Sequence, residues 1–334
     1  MKSCKLKRGR LAAWGCLFAL AASPVAPAGE FAPVTVRLIQ QFKSGSPETR
    51  FGALEFLGGL QYSSSDSRVG GVSAIRFRPD GRDFVAVLDT GHWMTGSLER
   101  NPEGRISALS QVSVVAMRAQ VQNPSKLDVD AEGLAIRKNE LLVSFERGHR
   151  VDAYPDPGFE NALPRSVDMV IPRRELRANG GIETLAVSPA NSPLSGAVIA
   201  VAERSVDEDG NLFAAVLDGP SKGIFKVVRN DPWAVTDGAF LPDGDLLLLE
   251  RRFSYTGGVG MRIRRVAAGA IRPGALVDGK VLIEADMGAE IDNMEGLDVV
   301  QGPDGDIRIV IVSDDNRSFL QRNLMLEFRL TGGL

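Results

Sequence analysis

A short acidic motif recurs along this chain at nearly even spacing, and that spacing restricts the fold more than any other feature. Its copies read Glu132-Gly133-Leu134-Ala135, Glu183-Thr184-Leu185-Ala186, Asp237-Gly238-Ala239-Phe240 and Glu295-Gly296-Leu297-Asp298, with a degenerate first copy at Gly71-Val72-Ser73-Ala74-Ile75. Each copy precedes a turn and an apolar run that itself ends in an acid: Asp89, Glu146, Glu203, Glu250 and Asp314. A unit of about 50 to 60 residues that repeats in this way signals radial or solenoidal repetition, because one unit cannot bury its apolar face alone.

Strand-like runs rich in Val, Ile, Leu and Phe cover 34–39, 53–60, 74–77, 84–88, 112–117, 141–145, 198–202, 224–228, 246–249, 307–312 and 325–330. Three connections share one turn chemistry, Pro79-Asp80-Gly81, Pro242-Asp243-Gly244 and Pro303-Asp304-Gly305. Pro presets the first turn dihedral and Gly accepts a positive φ, so these are hairpin turns between antiparallel neighbours. Helical periodicity is scarce; 173–177 makes at most one turn. The expectation is therefore an all-β chain with one domain over 29–334, a six-bladed β-propeller closed by pairing of its N- and C-terminal strands. A two-sheet sandwich is the alternative, but it leaves the repeat unexplained.

The chain begins with a basic segment (Lys2, Lys5, Lys7, Arg8, Arg10), an apolar stretch over 11–22 and a small-x-small site at Ala26-Pro27-Ala28. This order predicts a signal peptide over 1–28 and a periplasmic or secreted protein with no membrane span after cleavage; an uncleaved anchor is the alternative. Both cysteines, Cys4 and Cys16, fall within the leader. The mature chain then excludes cysteine nucleophiles, thiolate metal sites and disulfides, and must rely on its core. Removing the leader's basic residues moves the formal charge from −3 to about −8, which argues against nucleic acid as a partner. A monomer is expected.

In a propeller the first strand of each unit lies nearest the axis, so residues at its entrance converge on one mouth. Glu132, Glu183, Asp237 and Glu295 are candidates for that position. Carboxylates crowded together require protons or cations, and an all-oxygen set suits Ca2+. Asp314, Asp315 and Asn316 add three oxygen-bearing side chains at a strand end. The competing reading is a set of structural latches, since repeated acids also pair with backbone amides or with arginines of the next unit. Arg147, Arg204, Arg251 and Arg317 are candidates for holding an anion. Alternation of side chains along a strand predicts that Glu146, Glu203 and Glu250 do not pair with the arginine that follows each of them. The two histidines, His92 and His149, stand at equivalent offsets from Asp89 and Glu146 and are candidates for a general acid; with Glu132 and Glu295 they make up the catalytic candidates. Asp207-Glu208-Asp209-Gly210-Asn211 lacks the downstream Glu of a calcium loop and reads as an exposed hairpin tip. No Gly-x-Ser-x-Gly, His-Glu-x-x-His or phosphate-loop motif occurs.

The stretches Gly70-Gly71-Val72-Ser73, Asp130-Ala131-Glu132-Gly133-Leu134-Ala135, Asn179-Gly180-Gly181-Ile182-Glu183, Thr236-Asp237 through Leu249-Glu250-Arg251, Asn293-Met294-Glu295-Gly296-Leu297 and Ser313-Asp314-Asp315-Asn316 resemble the bacterial phytase-like family, whose domain is known as "esterase-like activity of phytase". The chain departs from that pattern at Thr184 and Arg317. The resemblance implies an exported β-propeller that hydrolyses a small-molecule phosphoester or ester. With the carboxylates above, the expected function is divalent-cation-assisted phosphoester hydrolysis. The alternative is a non-catalytic propeller that binds a ligand or protein, its acids serving as latches.

Overall fold

Five antiparallel sheets follow one another along the chain, seen in a computed structural model that describes residues 1, 31–254, 257–302 and 304–332. The expected signal peptide, with Cys4 and Cys16, lies outside the described residues apart from Met1. Among the described residues no helix is long and apolar enough to cross a membrane.

The first blade runs Val72–Phe77, Asp83–Leu88, His92–Arg100 and Ile106–Ala116, each strand pairing with the next. The second is Ala131–Arg137, Glu140–Phe145, Arg150–Pro155 and Arg165–Val167. The third is Ile182–Val187, Val198–Val206, Leu212–Val216 and Gly223–Val227, extended by the short parallel strand Leu276–Val277. The fourth is Ala234–Phe240, Leu246–Ser254, Gly258–Val266 and Lys280–Asp286. In the fifth, Asn293–Gln301, Ile307–Asp314 and Asn323–Leu330 continue into Leu54–Ser64 and Val34–Ile39, with Arg50–Phe51 paired to the side.

The arrangement is a propeller of five blades, which corrects the expected six. Dividing chain length by the repeat counts the N-terminal strands with 325–330 as a blade of their own. They do pair with that strand, Leu60 facing Met325 and Leu54 facing Leu330, but both belong to the sheet that begins at Asn293.

Five apolar clusters lie between the blades. Leu246 and Leu248 pack toward the third blade with Ile199, Val201 and Val216, whereas Leu247 and Leu249 pack toward the fifth with Ile309, Ile311 and Phe328. Side chains alternate along a strand, so a strand buried on both faces reads as an unbroken apolar run. That is why Leu246 to Leu249 show no polar alternation. Strands such as His92–Arg100 and Gly258–Val266 carry polar residues and glycine within the strand, and sequence patterning missed them. Gly81, Gly244 and Gly305 fall between first and second strands, at φ +64°, +95° and +77°. Asp207 caps its own turn by accepting from the Asp209 and Asn211 amides, so that segment is a hairpin tip.

The glycine of the motif has a packing cause. A Cβ at Gly133 would lie 2.4 Å from the Glu183 carbonyl oxygen of the next blade, and one at Gly296 would lie 2.7 Å from Val312 Cγ2. A backbone oxygen cannot rotate away, so the inner strands would have to part. Gly133→Ala is expected to cost about 1 to 3 kcal/mol, read as a lower urea midpoint with an unchanged slope. A midpoint equal to that of the parent chain would show that the strands yield freely.

Candidate functional site

Every inner strand carries a register shift against its neighbour near its start: between Val72 and Ala74, Ala131 and Leu134, Ile182 and Thr184, Val235 and Asp237, and Met294 and Gly296. A bulge of this kind re-aims the extra residue. The residues so placed are Ser73, Glu132, Glu183, Thr236 and Glu295. Asp237 sits one position further along and does not join the acids. The bulge position of the fourth copy falls instead to Thr236, whose hydroxyl donates to the Met294 carbonyl at 3.0 Å.

Asp237 instead forms a bidentate ion pair with Arg76, at 2.7 Å to each oxygen, and both side chains are buried. Arg76 also donates to the carbonyls of Ile75, Leu185, Gly238 and Leu297, while the Leu297 and Gly238 amides donate to Asp237. This joins four of the five inner strands around one guanidinium. Asp298 lies nearby, and burial pushes its carboxyl up to about 6.

The remaining motif acids meet the strand-end acids in a cavity of about 270 Å³. An antiparallel hairpin sets the start of its first strand beside the end of its second: the Glu146 amide donates to the Asp130 carbonyl, and the Glu203 amide to that of Gly181. Asp89, Asp130, Glu132, Glu146, Glu183, Glu203, Glu295 and Asp314 therefore share one mouth, with Lys126, Arg147, Arg204 and Arg251 among them. Two groups bring one carboxylate oxygen from each member within 4.8 Å of the others: Asp130, Glu132 and Glu146, and then Glu146, Glu183 and Glu203. Glu146 belongs to both. The strand-end acids are visible in the sequence, but of them only Asp314 is expected there as a metal ligand. Hairpin adjacency was the signal that could have joined the rest.

The electrostatics of the mouth follow from burial and like charge. Burial first, then the charge of Glu295, raises the Glu132 carboxyl well above its ordinary value; burial and then Glu132 do the same to Glu183. Glu183 is a buried residue whose carboxylate, among the described residues, makes no hydrogen bond or ion pair and lines the cavity; Asp89 Oδ1 is itself buried without a partner. Burial raises Asp314 to about 7, opposed by the Asn316 amide that donates to it at 2.7 Å. Burial raises Glu295 to about 8, opposed by Arg251 at 2.8 Å. Both values stand near neutral with these contacts in place, so each carboxyl can hold a proton there; among the described residues Asp314 is the one without an arginine partner.

The fourth blade contributes a cation in place of an acid. Glu250 turns away into a buried pair with Arg262 at 2.5 Å and Arg264 at 2.6 Å, and Arg251 enters the mouth between Glu203 and Glu295. Two of the three consecutive pairs do come together, against the expectation: Glu146 with Arg147 at 3.7 Å and Glu203 with Arg204 at 3.4 Å. Glu146 lies in a turn and Glu203 at a register shift, where strand alternation does not apply. Asn316 lines the mouth, whereas Asp315 accepts from Asn323 and Arg317 donates to the Ser67 carbonyl, both outside it. Neither histidine lines it. His92 Nδ1 lies 3.0 Å from the Thr90 carbonyl, and buried His149 Nδ1 has no partner; burial lowers both imidazole pKa values.

A family model described as "Phytase-like: Esterase-like activity of phytase" matches residues 67–317, from just before the first inner strand to just past Asp314. The chain belongs to the Phytase-like family. No curated protein matches it. Among solved structures, "Structure of U3-55K" is 12% identical over 78% of this chain and 96% of that one, with a TM-score of 0.39. An endo-arabinase from Bacteroides thetaiotaomicron VPI-5482 is 11% identical over 78% and 94%, with a TM-score of 0.46. The Cps50 (Swd1) β-propeller domain of Myceliophteria thermophila is 12% identical over 79% and 73%, with a TM-score of 0.34. At such values neither ligand nor activity passes from them to this Phytase-like chain.

Proposed function

We propose that this Phytase-like propeller is an exported phosphoester hydrolase assisted by a divalent cation, Ca2+ by preference, at the carboxylate mouth. The observation that carries the proposal is the pair of carboxylate triads sharing Glu146, beside a buried Glu183 that has no protein partner. Like-charged carboxylates crowded into one cavity are costly to keep ionised, and an oxygen-only set fits a hard cation. Asp130, Glu132, Glu146, Glu183 and Glu203 would hold it. A bound cation supplies charge neutralisation and polarisation of a phosphoryl oxygen.

The chain's own residues supply the rest. Arg204 and Arg251 flank the mouth and orient the phosphoryl group. Water adds to phosphorus as the ester P–O bond breaks, and the Asp314 carboxyl gives its proton to the leaving alkoxide. The phosphate product then returns a proton from the added water to Asp314. Asp237 and Glu250, each locked to arginine, act as latches in this reading. We also take the ladder between Leu54–Ser64 and Asn323–Leu330 to close the ring.

Metal removal and pH test the site together. Without cation, a carboxyl whose folded pKa is raised favours the protonated form, so its contribution is fully present below the unfolded value. It is lost as pH rises through the folded value, here about 7 for Asp314 and about 8 for Glu295. In EDTA the Tm is therefore expected to fall between about pH 5 and pH 8. Ca2+ at a hundredfold excess over Kd is expected to raise Tm by roughly 5 to 10 °C, more at pH 8 than at pH 5. Turnover of p-nitrophenyl phosphate or phytate should require the cation. A Ca2+-dependent Tm without turnover of either ester would reject the hydrolase and leave a structural cation.

A further inference from the structure

A second cavity of about 790 Å³ adjoins the mouth, and Arg204 and Arg251 line both. Its far wall is apolar and unusually open: Phe253, Met287 and Leu320 are 66%, 62% and 77% exposed. These three come from separate places, the end of strand Leu246–Ser254, the turn after Lys280–Asp286 and the loop after Ile307–Asp314. Three unrelated segments thus present large apolar side chains to one groove beside a polar mouth. A patch of this kind, rimmed by charge, marks a ligand site.

The charges on the groove select an anion. Arg322 is neutralised by Glu290 at 2.6 Å and Asp292 at 3.3 Å. Arg252 has no carboxylate within ion-pair distance among the described residues; its guanidinium carbon stands 5.2 Å from the centre of the Trp233 ring. Arg252 therefore keeps an unneutralised charge on the groove, while Arg204 and Arg251, which line the mouth as well, share Glu203 and Glu295.

We propose that this groove seats the alcohol part of the ester, so that the protein takes phosphomonoesters of long-chain alcohols. The proposal rests on the hydrolase reading for its chemistry, but the groove itself is argued from separate residues. The phosphoryl group would lie between Arg204 and Arg251 at the carboxylate mouth, and the alkyl chain along Met287 and Leu320 under Arg252. Hydrolysis adds water to phosphorus, breaks the ester P–O bond and releases the chain as an alcohol whose hydroxyl hydrogen comes from that water. A compact polyanion such as phytate gains nothing from the apolar wall and meets eight carboxylates at the mouth.

Titration calorimetry with n-octylphosphonate and ethylphosphonate, both inert to hydrolysis, tests the groove in saturating Ca2+. The octyl compound is expected to bind at least roughly tenfold more tightly, since each seated methylene adds to affinity. In a Met287→Ser, Leu320→Ser double variant that ratio is expected to fall to about one. Both positions are exposed, so folding is not at stake, and the ratio cancels any general loss of affinity. Equal affinities in the parent chain, or no binding of either phosphonate, would overturn the groove. Turnover of ethyl phosphate, which does not reach the groove, reports separately on the hydrolase. Its absence beside a strong octyl preference would remove the reaction and leave the groove standing.

Discussion

Arg76→Met is expected to destabilise the protein by about 3 to 5 kcal/mol, the cost of leaving a buried charge without its partner. Asp237 is fully enclosed and would keep only the Leu297 and Gly238 amides. Burial raises its carboxyl pKa even with Arg76 present, so without the guanidinium it would take up a proton more readily. The loss should therefore be largest at neutral and alkaline pH and shrink in acid, where a protonated Asp237 needs no counter-charge. Removing both charges, as in Arg76→Met with Asp237→Leu, often restores stability at buried pairs. Here it should not, because Arg76 also serves four backbone carbonyls, and each left unpaired costs about 1 to 3 kcal/mol. Urea unfolding of the single and double variants separates the two costs. A double variant as stable as the parent chain would mean that the carbonyls find other donors and that the pair alone matters.

How much of this was legible in the sequence depends on register. The repeat, the strand-end acids and the hairpin turns followed from composition and spacing, because a strand buried on both faces and a Pro-Asp-Gly turn are local facts. Asp237 was not legible as a latch. Aligned acid to acid, Asp237-Gly238-Ala239 matches Glu-Gly-Leu, but the bulge falls at Thr236, because Val235 pairs with Glu250 and Asp237 with Leu249. Glu250 misleads in the same manner. Glu250-Arg251 looks like Glu146-Arg147, but Glu250 faces Arg262 directly across the ladder, and that partner lies on another strand. The blade count failed for a similar reason: pairing of the N-terminal strands with 325–330 is expected from the repeat, but nothing local says that both join the sheet of 293–314 instead of forming a blade of their own. Alignment by residue type finds the positions that converge; only pairing decides which of them are already satisfied.

That distinction selects the residue on which the proposed activity turns. Glu146→Gln is expected to lower kcat/KM on p-nitrophenyl phosphate at least about a hundredfold and to weaken Ca2+ binding by a comparable factor. Glu146 is the one acid common to both triads, so its loss removes a charge from each. Gln retains an oxygen that can accept the Gly180 amide, now held by Glu146 Oε1 at 2.7 Å, so the local turn should persist. Without cation the variant should be the more stable protein, since a raised, like-charged carboxyl has been replaced by a neutral group. Opposite signs for stability in EDTA and for activity in Ca2+ are what separate a metal-holding acid from a latch. Glu250→Gln provides the contrast: it breaks a buried pair with Arg262 and Arg264 and should lose stability in either condition while leaving the Ca2+ midpoint in place. A Glu146→Gln chain that loses stability in EDTA and binds Ca2+ as the parent does would place Glu146 with Glu250 and Asp237 among the latches, and the mouth would then have no residue left to bridge its two triads.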